Sequence, residues 1–298
     1  MTTRSSRYVP CATFTFIGVL LAVAPAAAQS PGEWQASAWQ LWRIDVDGTN
    51  LQPLDTTPDD RCGSPDWSPD GKFIAYDVLS DSGGSYQVAV IRSDGTDRRL
   101  IARGSIPTWS PDGKLIACQG NGIQIMNADG SGYETLLGRA FSLRWSPRGN
   151  AIIAGIGNSL LLLDLATGKQ QTLLSSTKTI SHGYGISPDG LRFCFGSPSD
   201  GLSVAELDEQ TMQVTTRQVV GTGTAYHASW APDGKRVVFA WRPKPGDLTQ
   251  LYTLDVDAKE PPKPLPGVDT TRQNVNPDWS PDGKSIVFSR PAPLTSLP

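Results

Sequence analysis

Few residues in this sequence could do chemistry, and their spacing narrows what that chemistry could be. His182 and His227 are the only histidines, which excludes a three-histidine zinc site. The cysteines Cys11, Cys62, Cys118 and Cys194 form no CxxC pair, so a zinc ribbon and a thioredoxin-type redox motif are excluded too. Gly-x-Ser-x-Gly is absent, and both Gly155-Ile156-Gly157 and Gly221-Thr222-Gly223 lack the third glycine of a dinucleotide loop. Asp45-Val46-Asp47-Gly48 starts like a calcium loop, but its twelfth position would be Thr56 instead of Glu, so it reads as a hairpin turn. The expectation is a protein with no catalytic residue, no metal and no cofactor.

Two sets of side chains remain as candidate binding residues. Arg61, Arg103 and Arg139 each lie seven residues before the serine of a recurring Ser-Pro-Asp-Gly turn, and Arg272 lies eight before. Equivalent positions would place the four on one rim, suited to carboxylates or an acidic partner. The competing reading is local pairing with Asp60, Asp66, Asp278 and loop carbonyls. His182 and His227, each beside a tyrosine (Tyr184 and Tyr226), fall five and four residues before their turns. They read either as a small polar site or as hydrogen-bonded loop residues.

The elements that must position these residues come from an internal repeat. The turn occurs at Ser68-Pro69-Asp70-Gly71, Ser110-Pro111-Asp112-Gly113, Ser146-Pro147-Arg148-Gly149, Ser187-Pro188-Asp189-Gly190, Ala231-Pro232-Asp233-Gly234 and Ser280-Pro281-Asp282-Gly283. The copies are 36 to 49 residues apart, and a tryptophan precedes five of them, the fourth having Ile186. Proline sets the first corner, aspartate suits the second, and glycine takes the positive φ that follows. Strand-like runs such as Lys72–Tyr76 come next, and a second hairpin with its own turn (Asp94-Gly95, Asp129-Gly130) completes four strands per repeat. The chain opens on the third and fourth strands of a repeat, near Leu41–Leu54, and ends on the first and second. Two half repeats make one whole, which predicts an all-β, six-bladed propeller closed by its N-terminal strands.

Thirty glycines, 24 prolines and nine tryptophans agree with short strands joined by turns. The net charge of −3 offers nucleic acid no basic excess. Arg4, Arg7, an apolar run and Ala26-Ala27-Ala28 predict a signal peptide over residues 1–28, whose removal (two arginines, no acid) takes the charge to −5. The strongly apolar stretch is too short to span a bilayer, so no stable membrane insertion is expected, and the location is periplasmic or secreted. Residues 29–37 read as a linker, 38–290 as the propeller and 291–298 as a tail. Cys118 and Cys194 sit in apolar strand patterns and Cys62 in a loop, which makes Cys62 the expected exposed thiol.

Asn276-Pro277-Asp278-Trp279-Ser280-Pro281-Asp282-Gly283-Lys284-Ser285-Ile286-Val287-Phe288 resembles the repeat of the TolB-type propellers, and the likeness covers about residues 38 to 290. The resemblance implies a monomeric, non-enzymatic scaffold for an envelope or extracellular protein, with the peptidoglycan-associated lipoprotein Pal as the implied type of partner. Only about ten residues separate the cleavage site from the first strand, where TolB itself carries an α/β domain. The rival reading is a lyase or hydrolase acting on an acidic carbohydrate at the propeller mouth. Because the Trp and Pro-Asp-Gly residues recur, they serve packing and turning. Function is expected where repeats differ, on the face opposite those turns.

Overall fold

The structure, a computed structural model, describes residues 38–80, 84–137, 140, 142–175 and 183–293. The expected signal peptide, the linker and the end of the tail lie outside the described residues. Those described form β-strands and turns, with no helix among them and so none long and apolar enough to cross a membrane.

Four sheets have four antiparallel strands each, and each sheet is one sequence repeat. The second repeat runs through Ser105–Trp109, Leu115–Gly120, Gly122–Asn127 and Glu134–Leu137, and the third through Ser142–Trp145, Ala151–Ile156, Ser159–Asp164 and Gln170–Ser175. The fourth holds Tyr184–Ile186, Arg192–Ser197, Gly201–Leu207 and Val214–Val220, and the fifth Thr224–Trp230, Arg236–Arg242, Gln250–Asp255 and Lys263–Pro264. The remaining eight strands form one sheet: Val275–Trp279, Ser285–Pro291, Trp39–Asp45 and Gln52–Asp55, then Asp60–Trp67, Phe73–Ser80, Gln87–Arg92 and Arg99–Arg103. The expectation of six separate blades is corrected here. Four blades are separate four-stranded sheets, and a parallel bridge between Trp39 and Arg61 carries the ladder from the last repeat into the first.

The two chain ends pair as the half repeats require. Trp39–Asp45 runs antiparallel to Ser285–Pro291 through seven consecutive residue pairs. A buried polar network locks the same seam. Asp55 accepts hydrogen bonds from the Tyr76 hydroxyl (2.6 Å) and Arg98 Nε (2.8 Å), and Arg98 also reaches Asp60 at 2.7 Å. Cys62 joins this network with its thiol 3.5 Å from Asp55. Only 3% of Cys62 is exposed, which corrects the expected exposed thiol: the residue is in a strand, not a loop. Burial pushes its pKa well up, so the thiol stays protonated. Cys118 and Cys194 are fully buried.

The turns hold their shape by a repeated set of bonds. In the first, the Ser68 hydroxyl donates to Asp70, the Lys72 N–H also donates to Asp70, and the Phe73 N–H donates to Ser68 Oγ. Gly71 has φ +70°, and a Cβ there would lie 3.4 Å from Pro281 of the neighbouring turn. Tryptophans that precede the turns pack across seams. Trp109 lies among Ala75, Val88 and Val90 of the first repeat, and Trp230 among Cys194 and Val204 of the fourth.

Candidate functional site

Each repeat carries a residue four positions before its turn, in its first strand or, for Gly183, just ahead of it, and these six residues meet at one place. Ser64, Ile106, Ser142, Gly183, His227 and Asn276 all line a single cavity of about 30 Å³. Five of them have left-handed backbone: Ser64 (φ +46°), Ile106 (+52°), Gly183 (+82°), His227 (+38°) and Asn276 (+53°). In four repeats the cause is a register shift in the first strand at this point: Gly63/Asp66, Ser105/Thr108, Tyr226/Ala228 and Val275/Asp278. An isoleucine with positive φ is strained, and the surroundings must hold it. Asp77 does so, accepting the Ile106 N–H at 2.8 Å and a bond from the Ser64 side chain. Burial raises the pKa of Asp77.

Two residues nearer the turn, the side chains form a belt from repeat to repeat. Asp66 accepts the Trp109 N–H (2.7 Å), Thr108 the Trp145 N–H (3.2 Å), Ser229 the Trp279 N–H (3.1 Å) and Asp278 the Trp67 N–H (2.9 Å). At the third repeat Arg144 replaces an acceptor and donates to the Tyr184 carbonyl. At the fourth, Gly185 has no side chain, and a Cβ there would lie 2.5 Å from the Ala228 carbonyl oxygen, so the strands meet directly. Arg144 also crosses to Asp66 at 3.0 Å. Arg144, which lines the cavity, thus pairs with Asp66 and also acts through its charge on Asp278. Burial, reinforced by the Asp278 charge, pushes the Asp66 carboxyl up to about 7 against the pull of Arg144, and burial raises Asp278 as well. A cavity of about 30 Å³ is well below the roughly 300–1,000 Å³ of small-molecule sites, and holds about a water or two.

The residues nominated from sequence fall in different places. His227 lines the cavity. Tyr226, half-buried beside it, packs on the core of the fifth and last repeats. Tyr184 is fully buried, its hydroxyl bonded to the Ile153 carbonyl, so it belongs to the scaffold. Arg61 is half-buried in the first strand of its repeat, whereas Arg103 is exposed at the end of the outermost strand of that repeat. Arg272 lies on a loop, bonded to Asp269 (2.8 Å) and the Pro291 carbonyl. Arg139 and His182 lie outside the described residues. Equal offsets from the turn therefore do not give equal radii for Arg61 and Arg103, because the connection into the first strand differs in length between repeats.

No family profile matches the chain. Solved structures do. A TolB candidate from Agrobacterium tumefaciens superposes with a TM-score of 0.67 at 19% identity, covering 87% of this chain and 100% of its own. TolB from Acinetobacter baumannii gives 0.57 at 19% identity, covering 88% of this chain and 65% of its own. The fold is that of a TolB-like β-propeller. Hydrazine synthase of Kuenenia stuttgartiensis also matches, with a TM-score of 0.54 at 16% identity over 74% of this chain and 71% of its own. A propeller thus carries an enzyme's name in one neighbour and a TolB name in two others, so fold alone does not select the function.

Sequence reading of this TolB-like propeller missed the belt and the mouth residues other than His227. The signal was present at fixed offsets from the turn: Asp66, Thr108, Arg144, Gly185, Ser229 and Asp278 at minus two, and the cavity-lining set at minus four. Attention to residue type alone passed over it.

Proposed function

We propose that the chain is an exported, non-enzymatic propeller that serves as a protein–protein interaction scaffold in the periplasm or cell envelope, with six repeats in its ring. The eight-stranded sheet then counts as two blades joined by the single Trp39–Arg61 bridge. One observation carries the interaction reading. Left-handed backbone recurs at the cavity in five of the six repeats, yet the residues lining it at this position are Ser64, Ile106, Ser142, Gly183, His227 and Asn276. A constant support with variable side chains converging on one point is how a rigid scaffold displays a recognition surface.

The small cavity favours a protein surface over a sugar ring. Arg61, Arg103, Arg139 and Arg272 remain the proposed contacts for an acidic partner, and the TolB neighbours support a partner of the Pal type. The test is calorimetric titration of the mature protein with the soluble domain of the Pal protein from the same organism. His227→Gly and Asn276→Gly keep the left-handed backbone, as Gly183 already does, and remove the side chains. Saturable binding that the double variant weakens about tenfold or more at unchanged melting temperature supports the reading. Equal binding by parent and double variant overturns the mouth as the contact surface. Turnover of an acidic oligosaccharide by the parent would establish the rival enzymatic reading.

A further inference from the structure

The face opposite the mouth carries an internal comparison. At the seam between the fourth and fifth repeats, Arg192 stands two residues after its turn glycine, and its guanidinium lies over the Trp230 ring at 4.7 Å. It is held there by Asp257 at 3.0 Å and by the Gly234 carbonyl. At the next seam, Arg236 occupies the same position and lies over Trp279 at 5.1 Å, bonded to Asp233. The seat of Arg192 thus has three parts, all from the following repeat: the indole, the turn glycine and the acidic second turn; the seat of Arg236 shares the indole.

The seam between the first and second repeats has the seat without its arginine. The residue two after the turn glycine is Phe73, and a cavity of about 500 Å³ remains. Its walls include Trp109, Gly113 and Asp129, the counterparts of Trp230, Gly234 and Asp257, with Asp70 and Asp112 beside them. One arginine, Arg99, lines the groove, where it approaches Asp97 at 3.6 Å and adds its charge to the field at Asp129, while Arg92 lies over the Phe73 ring at 5.6 Å. Among the described residues no cation lies over the Trp109 ring. At the seam of the last and first repeats, Arg43 already reaches into the corresponding groove through Ser285 and the Ser93 carbonyl.

We infer that the Trp109 groove is a docking site for an arginine side chain of a protein partner, whose guanidinium stacks on the indole and pairs with Asp129 as Arg192 does on Trp230 and Asp257. Asp129 complements the cation, whereas Asp70 and Asp112 pair with Lys72 at 3.3 Å and Lys114 at 3.2 Å, and the planar guanidinium suits the indole face better than a lysine ammonium does. The site is on the opposite face from the proposed mouth, so either can fail without the other.

The test uses the full mature chain and the capped peptides acetyl-Gly-Arg-Gly-amide and acetyl-Gly-Lys-Gly-amide, followed by NMR at the Trp109 indole N–H. The arginine peptide should shift that resonance saturably, and the lysine peptide should bind at least about threefold more weakly. Phe73→Arg supplies the missing side chain from within and should abolish the shift at an unchanged or raised melting temperature. Asp129→Asn keeps the acceptor of the local turn and should weaken binding about fivefold or more. Equal titration by the two peptides, an unchanged affinity in Asp129→Asn, or no saturable shift in the parent would each overturn the assignment.

Discussion

Asp278 accepts the backbone N–H of Trp67 at 2.9 Å across 211 positions of sequence. Its other carboxylate oxygen accepts the Ser229 hydroxyl at 2.8 Å, so a single side chain of the last repeat ties both neighbours. The ring closes on this residue at its inner edge and on the Trp39–Asp45 ladder further out.

Asp278→Ala should therefore cost about 2–4 kcal/mol, because it strands a buried N–H and a buried hydroxyl. Asp282→Ala, four residues on in an exposed turn, should cost about 1 kcal/mol or less. Chemical denaturation of the two variants checks this. Equal losses would mean that the belt contributes no more than a surface turn.

The Asp66–Arg144–Asp278 group should give stability a distinct pH dependence. Burial holds both carboxyls above their unfolded range, Asp66 at about 7. The folded chain then binds protons more tightly than the unfolded one, and this contribution is fully present below about pH 4. It is lost as pH rises towards 7, by at most about 1.4 kcal/mol per pH unit for one proton. The turn aspartates such as Asp112 and Asp282 have lowered pKa values and act with opposite sign at more acid pH. Melting curves from pH 4.5 to 7.5 should slope downward for the parent. Asp66→Asn should flatten the slope, since it keeps a neutral side chain there and the Asp278 charge still acts on Arg144.

Arg290 is only 1% exposed, with Nη2 lacking an acceptor and the guanidinium between the Trp42 and Phe288 rings. Burial and the nearby Arg272 lower its pKa to about 10. The fifth repeat places Trp241 at the equivalent position, against Phe239 and Tyr252. Arg290→Met should leave the melting temperature equal or higher. A loss above about 2 kcal/mol would show that the aromatic contacts and the bond to Asn274 outweigh the buried charge.

Deletion of Trp39–Leu54 removes two strands and exposes the edges of Ser285–Pro291 and of the first repeat. Aggregation or loss of a cooperative melting transition is expected. A truncated protein that melts like the parent would show that the N-terminal strands are dispensable to the ring.

The sequence by itself determined the repeat, its four strands, the turn chemistry and the pairing of the two chain ends. Each of these rests on local rules: glycine takes positive φ at Gly71, an apolar run buries Ile74, Ala75 and Tyr76, and a half repeat at Trp39–Leu54 needs its other half. It also marked Cys118 and Cys194 as core. What it could not decide was radius and depth. Arg61 and Arg103 share an offset from their turns, yet one is in an innermost strand and the other ends an outermost one. Cys62 reads as a loop thiol until Asp55, from a strand of the last repeat, closes over it. Tyr184 and Tyr226 each lie near a histidine, but they stand three and five residues before their turns, and the first is fully buried while the second is half-buried. Only the closed ring brings Asp66, Arg144 and Asp278 together, because their contact depends on three repeats converging on one axis, which no local interaction encodes.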